Sequence, residues 1–396
     1  MIELLFLLLP IAAAYGWYMG YRSANKSKDE IRNKFSRDYV TGVNFLLSNQ
    51  PDKAVDLFLT ILQKQEQENE IDSYSQFEAE LTLGNLFRSR GEVDRALRIH
   101  QNLDKNPNYS FEQKLIAKQQ LAKDFFAVGF YDRAESYYIS LVDEPDFAEN
   151  ALQQLCLIYE KTKEWTKAIN VAEKLAQIAP VKNNISLAHY YCEQSLNLTE
   201  KDEKQSKELL YKALQVSPSC VRASILLAEN QMVALDYQGA IQTLKNIQKQ
   251  DPLYIGIVLN TLKYCYQELN LMDEFELFLI NVGLNYINNE VDLALVDLIE
   301  EKSGKQAAQA KLYQQLNRNP STLLFSRFIY YQIEQADTER SRNSLELLYK
   351  IVNEYINREF DYRCSNCGYQ SHKLTWYCPS CRQWEGIKPI SGSEQH

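Results

Sequence analysis

Residues 77–108 read FEAELTLGNLFRSRGEVDRALRIHQNLDKNPN, and their pattern sets the organisation of most of the chain. Apolar residues recur at helical spacing on both sides of a central glycine, which predicts two helices joined by a tight turn. The small residues Gly84 and Ala96 let the two helices approach each other, and Phe87 fills the gap to the next pair. Pro107 ends the second helix because proline cannot continue it.

The same pattern returns along the chain with a period of about 34 residues, which resembles that of tetratricopeptide repeats. Further clear copies lie at 121–141, 155–180 and 227–252, a lengthened copy occupies 185–218, and fainter copies begin near Gly42, Lys263 and Val296. We therefore predict eight copies and a ninth, degenerate pair in 321–357. The fold class that follows is all-α, a solenoid of tetratricopeptide-like repeats over 38–357.

Stacked repeats of this kind form a groove lined mainly by the first helix of each pair. The residues expected on that surface are Asn85, Arg88, Gln119, Lys123 and Gln153. We interpret them as candidates for binding a peptide or protein partner. The alternative for each residue is an ordinary solvated helix face.

Four of the eight cysteines lie after the repeats, in the predicted domain 358–396. Cys364 and Cys367 form one C-x-x-C pair, Cys378 and Cys381 form another, and ten residues separate the pairs. Each spacing lets a tight turn aim two thiolates at one point, so we predict one tetrahedral metal site with four sulfur ligands. The alternatives are two disulfides or four thiols with no ligand role.

This terminal domain is too small to bury a core of its own, so bound metal would supply its folding energy, about 10–16 kcal/mol for structural zinc. Four thiolates accept either iron or zinc, and the predicted cofactor is one such ion. His372 lies between the pairs but is not needed as a ligand, because four sulfurs already complete the tetrahedron.

The other cysteines lie singly within apolar helical patterns and are predicted to be small core residues rather than a disulfide framework. They are Cys156, Cys192, Cys220 and Cys265. This distribution favours a reducing compartment, and it argues against disulfides in the terminal domain as well.

Residues 1–21 are apolar apart from Glu3, and aromatic residues cluster at their downstream end. Residues 22–37 follow with six Lys or Arg and two acidic residues. About twenty helical residues cross a hydrocarbon core, and the positive flank is retained on the cytoplasmic side. We predict a transmembrane helix at 1–21, a basic juxtamembrane linker at 22–37 and a cytoplasmic bulk. A cleaved signal peptide is the alternative, but the basic region that should precede its apolar stretch is missing.

The net charge is −9, and its distribution disfavours nucleic acid as a partner. Residues 38–362 carry −14, which opposes the phosphate neutralisation on which such binding depends. A nucleic-acid-binding zinc ribbon is an alternative for the terminal domain, whose residues 363–396 carry only +2. Motifs for phosphate loops, dinucleotide binding, serine hydrolysis and zinc proteolysis are absent, and His100 occupies a packing position of a repeat. We therefore expect no enzymatic activity.

The ending YRCSNCGYQSHKLTWYCPSCRQWEGIKPI, at 362–390, resembles the rubredoxin-type ending of the lipopolysaccharide assembly protein B family of Gram-negative bacteria. The order of span, repeats and cysteine domain extends the resemblance to essentially the whole chain. By motif position, it implies that Cys364, Cys367, Cys378 and Cys381 are the metal ligands. It also implies that the cysteine domain folds against the repeats.

The resemblance further implies a regulatory adaptor in the inner membrane, with its N-terminus in the periplasm. Such adaptors help present the deacetylase of the lipid A pathway to a membrane AAA+ protease of the FtsH type, and so limit lipopolysaccharide synthesis. An inner-membrane lipopolysaccharide sensor protein regulates them. A further candidate partner is a second copy of the chain, in a homodimer. The alternative function is rubredoxin-like electron transfer on a repeat scaffold, although the cysteine pairs are much closer here than in electron-carrying rubredoxins.

Overall fold

The structure, a computed structural model, describes residues 14–15, 17–20, 37–68, 73–179, 184–198 and 202–390. The predicted transmembrane helix at 1–21 lies largely outside these residues, and so does the basic linker at 22–37 apart from its last residue. Residues 14–15 and 17–20 are helical. Within the ranges described, no helix combines the length and the apolar character that a membrane crossing requires.

The chain divides into two compact units, Met1–Thr162 and Lys163–His396. The first unit contains helix α1, described over 37–47. Its other helices are α2 (Pro51–Glu68), α3 (Ser73–Ser89), α4 (Val93–Lys105), α5 (Phe111–Ala127), α6 (Tyr131–Ile139) and α7 (Pro145–Thr162).

The second unit contains twelve further α-helices among its described residues and a small sheet at its end. The helices are α8 (Trp165–Ile178), α9 (Asn184–Leu196), α10 (Glu203–Val216), α11 (Val221–Val233), α12 (Tyr237–Lys245), α13 (Ile247–Gln250), α14 (Ile255–Glu268), α15 (Met272–Asn285), α16 (Asn289–Ser303), α17 (Lys305–Arg318), α18 (Thr322–Glu334) and α19 (Glu339–Arg358). A 3-10 turn at Pro252–Tyr254 precedes α14.

Counted over the described residues, the first unit contains three successive pairs in α1–α6, followed by α7. The second unit contains α8 and then five pairs in α9–α19, with the short α13 after α12. The last pair, α18 with α19, occupies the segment where the sequence predicted a degenerate copy. The mostly helical, tetratricopeptide-like architecture predicted from the periodicity is therefore confirmed. Side-chain hydrogen bonds to the backbone fix where the first helix of a pair begins. The Ser110 hydroxyl, for example, accepts from the amide of Gln113, whose own side chain accepts from the Ser110 amide.

Small residues let the two helices of a pair approach, as the sequence predicted. A Cβ atom added to Gly84 on α3 would collide with the imidazole ring of His100 on α4. A Cβ atom added to Gly42 on α1 would lie 2.8 Å from the ring of Phe58 on α2. His100 is fully buried, so its predicted role as a packing residue is confirmed.

Most turns between the two helices of a pair contain one residue with a left-handed backbone. These residues are Asn49, Gly91, Gly129, Lys163, Leu235, Asn270 and Gly304, with φ between 55° and 83°. Glycine adopts this conformation without steric cost, whereas a residue with a Cβ atom pays about 1 kcal/mol or more. The common backbone shape explains why the repeats keep one geometry despite weak sequence similarity at the turns.

The terminal cysteine domain forms a three-stranded antiparallel sheet of strands β1 (Tyr362–Cys364), β2 (Gln370–Ser371) and β3 (Ile387–Pro389). Strand β1 is central and pairs with both neighbours, so the order is β2–β1–β3. We call residues 362–390 the ribbon.

Candidate metal centre

The structure brings the four predicted cysteines together. Their four Sγ atoms all lie within 4.8 Å of one another. The Sγ atoms of Cys364 and Cys381 are 3.7 Å apart, as are those of Cys367 and Cys378. A tetrahedron with metal–sulfur bonds of about 2.3 Å has edges of about 3.8 Å. The sulfur arrangement therefore fits one tetrahedral ion of zinc or iron size.

Two backbone turns of the same design aim the sulfurs at this point. In the first, the amide of Gly368 donates to the carbonyl oxygen of Cys364 at 2.9 Å. In the second, the amide of Arg382 donates to the carbonyl oxygen of Cys378, also at 2.9 Å. Gly368 and Arg382 both have left-handed backbones, with φ of 76° and 61°. Each C-x-x-C pair thus needs a left-handed residue directly after its second cysteine.

The ribbon has almost no core apart from its sulfurs. Its buried cluster consists of Cys364, Cys378 and Ile387. The backbone at Gly386 runs close to the sulfur cluster, where a side chain would not fit well. A Cβ atom added at Gly386 would lie 3.0 Å from Sγ of Cys364. So little apolar burial cannot offset the entropy of ordering the segment, as was expected from its length.

The sulfurs differ in their electrostatic surroundings. A hydrogen bond from the backbone of Tyr369 lowers the pKa of the exposed Cys367 to about 6. Burial raises the pKa of Cys378 to about 11. The surroundings therefore favour the thiolate at Cys367 and the thiol at Cys378. Metal binding must then release protons, because only thiolates are ligands.

His372 does not belong to the sulfur cluster. Its ring packs against Phe360 at a centroid distance of 4.7 Å, and its Nδ1 lies 3.4 Å from an oxygen of Asp361. This placement agrees with the prediction that four sulfurs complete the site without it.

Aromatic side chains dock the ribbon on the repeats of the second unit. Trp384 is 8% exposed and stacks on the ring of His189 in α9, with centroids 4.7 Å apart and planes at 14°. Tyr190, also in α9, meets Trp384 edge-on at 6.2 Å. The carboxylate of Glu385 lies 3.0 Å from Nε2 of His189.

A second set of contacts holds the other side of the ribbon. Trp376 stacks on Tyr254 with centroids 5.5 Å apart, and the Tyr254 hydroxyl donates to the carbonyl oxygen of Ile387 at 2.9 Å. Lys388 pairs with Asp251 at 2.8 Å. The expectation that the cysteine domain folds against the repeats is therefore met, with contacts that span up to 196 positions of the chain.

The five predicted groove residues all lie half-buried in the first unit, on helices α3, α5 and α7. Asn85 accepts from the Arg88 guanidinium at 2.6 Å. Gln119 donates to the side chain of Asn150 at 3.1 Å, and Gln153 donates to that of Glu149 at 3.0 Å. Burial and the charge of Arg88 lower the pKa of Lys123. A role in partner binding stays a prediction for these residues.

Arg88 also takes part in a buried network that the sequence did not reveal. Its guanidinium pairs with Asp124 at 2.9 Å and donates to the side chain of Gln120 at 2.9 Å. The other oxygen of Asp124 lies 2.5 Å from Nδ1 of His100. The Asp124 carboxylate is fully buried, and its contacts with Arg88 and His100 compensate the cost of its desolvation.

The single cysteines of the repeats, Cys156, Cys192, Cys220 and Cys265, are all buried and without disulfides, as predicted. Cys220 differs from the others because it lies beside the ribbon. A hydrogen bond to Cys192 and burial raise its pKa well above the usual value.

Comparison with known proteins places this geometry in context. Residues 362–389 match the family described as the Rubredoxin metal binding domain. Lipopolysaccharide assembly protein B of Haemophilus influenzae is 67% identical over 396 residues, which is 100% of both chains. Lipopolysaccharide assembly protein B of Escherichia coli K12 is 44% identical over 393 residues, 99% of each chain.

Among solved structures, a tetratricopeptide repeat protein from Parabacteroides merdae is similar with a TM-score of 0.37 and 11% sequence identity. The similarity covers 67% of this chain and 98% of that one.

Proposed function

Because the chain belongs to the lipopolysaccharide assembly protein B family, we propose that it is an adaptor in lipopolysaccharide assembly with no catalysis of its own. The observation that carries this proposal is the 67% identity to a protein of that name over the full length of both chains. A scaffold of paired helices suits an adaptor, since stacked repeats present extended binding surfaces.

The specific activity that we propose is control of proteolysis. The adaptor brings the lipid A pathway deacetylase to a membrane AAA+ protease of the FtsH type, and an inner-membrane lipopolysaccharide sensor protein regulates this step. The excess of acidic residues in the repeats favours protein partners over nucleic acid.

We place the adaptor in the inner membrane as a single-pass protein, with residues 1–21 as the anchor, a periplasmic N-terminus and a cytoplasmic bulk. Tethering two membrane-associated partners near one surface raises their effective concentration without any new contact. Labelling of a cysteine added before residue 2 by a membrane-impermeant reagent in spheroplasts tests this orientation. Labelling only after lysis would contradict it.

The metal in this proposal is one iron or zinc ion held by Cys364, Cys367, Cys378 and Cys381. It would act as a structural cross-link, because four protein ligands leave no open coordination position for a substrate. The sulfur separations of 3.7 Å support this assignment for either metal.

The decisive test is crosslinking in living cells followed by recovery of a tagged chain from native membranes. We expect the protease and the deacetylase to be recovered together, in stoichiometric amounts relative to each other. A variant that lacks residues 1–21 is the control. It should remain folded, recover less of both partners and control deacetylase levels weakly.

Recovery of neither partner at native expression would refute the proteolytic role. Undiminished control of deacetylase levels by the truncated variant would refute the tethering argument alone.

A further inference from the structure

A second group of metal-ligand side chains lies where the ribbon meets the repeats. His189 in α9, Cys220 just before α11 and Glu385 in the ribbon each offer one ligand atom, and these atoms lie within 4.8 Å of one another. His189 and Cys220 are 0% exposed, and the Glu385 side chain is 22% exposed. None of the three belongs to the four-sulfur site.

The chemistry of the three groups matches one class of cation. Imidazole, thiolate and carboxylate are the three ligand types that zinc takes in proteins, with bonds of about 2.0–2.3 Å. Ligand atoms around a tetrahedral zinc are then about 3.3–3.6 Å apart. The observed 3.0 Å between His189 and Glu385 needs only a small opening to reach that separation.

The charges also balance around a divalent ion. The thiolate of Cys220 and the carboxylate of Glu385 together neutralise two positive charges. The nearby cation, Arg222, is already paired with Glu193 at 2.8 Å. A zinc ion here would leave the buried group with no uncompensated charge.

The ring nitrogen of His189 that faces Glu385 is Nε2, so Nε2 is the atom that would bind the ion. Nδ1, the other ring nitrogen, is buried without a hydrogen-bond partner among the residues that the structure describes, and a metal on Nε2 would not change this. Glu385 has a left-handed backbone with φ of 55°, a conformation that glycine would adopt at lower cost.

We propose that His189, Cys220 and Glu385 form a second metal site, for a divalent cation of the zinc class, that ties the ribbon to helices α9 and α11. Its occupation cross-links segments 196 positions apart in the chain, whereas the four-sulfur site only closes the ribbon on itself. The proposal concerns this junction and does not depend on the adaptor role.

The test is the total zinc and iron content of the purified full-length chain in detergent, after incubation with excess zinc and removal of weakly bound metal. We expect two ions per chain for the wild type and one for Cys220→Ala and for Glu385→Gln. The glutamine in Glu385→Gln keeps a hydrogen-bonding side chain of the same size, so its loss of metal would reflect lost ligation. Cys265→Ala, which removes an equally buried thiol elsewhere, should keep both ions.

One ion per chain in the wild type would overturn the proposal and leave a plain His189–Glu385 hydrogen bond. Equal loss of metal in Cys220→Ala and Cys265→Ala would also overturn it, because the loss would then follow from damage to the repeats. A second readout separates folding from ligation. Added zinc should slow amide exchange in the wild-type ribbon at least tenfold and should leave exchange in Glu385→Gln unchanged.

Discussion

Replacing Trp384 with alanine tests how firmly the ribbon is held to the repeats. The indole is 8% exposed and lies between the rings of His189, Tyr190 and Tyr377, at centroid distances of 4.7, 6.2 and 4.9 Å. Truncation of a buried tryptophan costs about 3–5 kcal/mol, from lost burial and the cavity left behind. The four sulfurs are untouched, so the variant should keep its metal.

The expected result is local opening of the dock rather than global unfolding. A loss of about 3–5 kcal/mol raises the population of the undocked ribbon by roughly 10²–10⁴-fold, since each 1.4 kcal/mol is a factor of ten. Amide exchange measured by mass spectrometry should speed up by that factor in 362–390 and in the facing residues of α9. Helices α3–α5 of the other unit should not change.

Tyr369→Ala is the matched control, because this ribbon aromatic is 40% exposed and makes its structural hydrogen bond through the backbone. It should leave exchange at the dock unchanged. If the ribbon amides of Trp384→Ala exchanged as slowly as those of the wild type, the reasoning would be refuted. That result would show that the aromatic stack does not keep the ribbon on the repeats.

Three other substitutions, the last with a control variant, each test one feature. Cys364→Ser should abolish binding of the four-sulfur ion, as measured by elemental analysis of a sample without added metal, and an unchanged metal content would exclude this ligand set. Tyr254→Phe removes the hydrogen bond to the Ile387 carbonyl but keeps the stacked rings. The free energy that holds the ribbon to the repeats, measured by amide exchange, should fall by about 1–2 kcal/mol. An unchanged free energy would mean that water replaces the hydroxyl. Leu235→Gly should raise the stability of the second unit by about 0.5–1 kcal/mol in urea denaturation, because glycine relieves the left-handed turn. Val233→Gly, two positions earlier in a helix, should instead lower that stability by about 0.5 kcal/mol, and a loss in both variants would show that the turn is not strained.

Features with local causes could be predicted from the sequence. A C-x-x-C spacing fixes where two thiols point, so the sequence predicted the four cysteines that the structure brings together. The close approach of Gly84 and His100 likewise follows from their positions in one repeat unit. Even the degenerate last pair was recognisable, because helical periodicity survives the loss of the small residues.

Features that depend on distant parts of the chain could not be predicted in this way. Arg88 was read as a groove residue, yet its guanidinium pairs with Asp124 of the next repeat, 36 positions later. The partner of His189 is Glu385, 196 positions away, and nothing in the sequence around either residue indicates the pair. The left-handed turn at Leu235 was also hidden, because leucine gives no sign of positive φ.

A metal-built ribbon that works while docked on the repeats is the central feature of the proposed adaptor. The most direct test is the half-life of the lipid A pathway deacetylase after synthesis is stopped, in cells that carry Trp384→Ala at wild-type abundance. We expect a half-life close to that in cells without the adaptor, although the variant keeps its four-sulfur metal. A wild-type half-life, together with an exchange measurement that shows the ribbon undocked, would contradict this role of the dock.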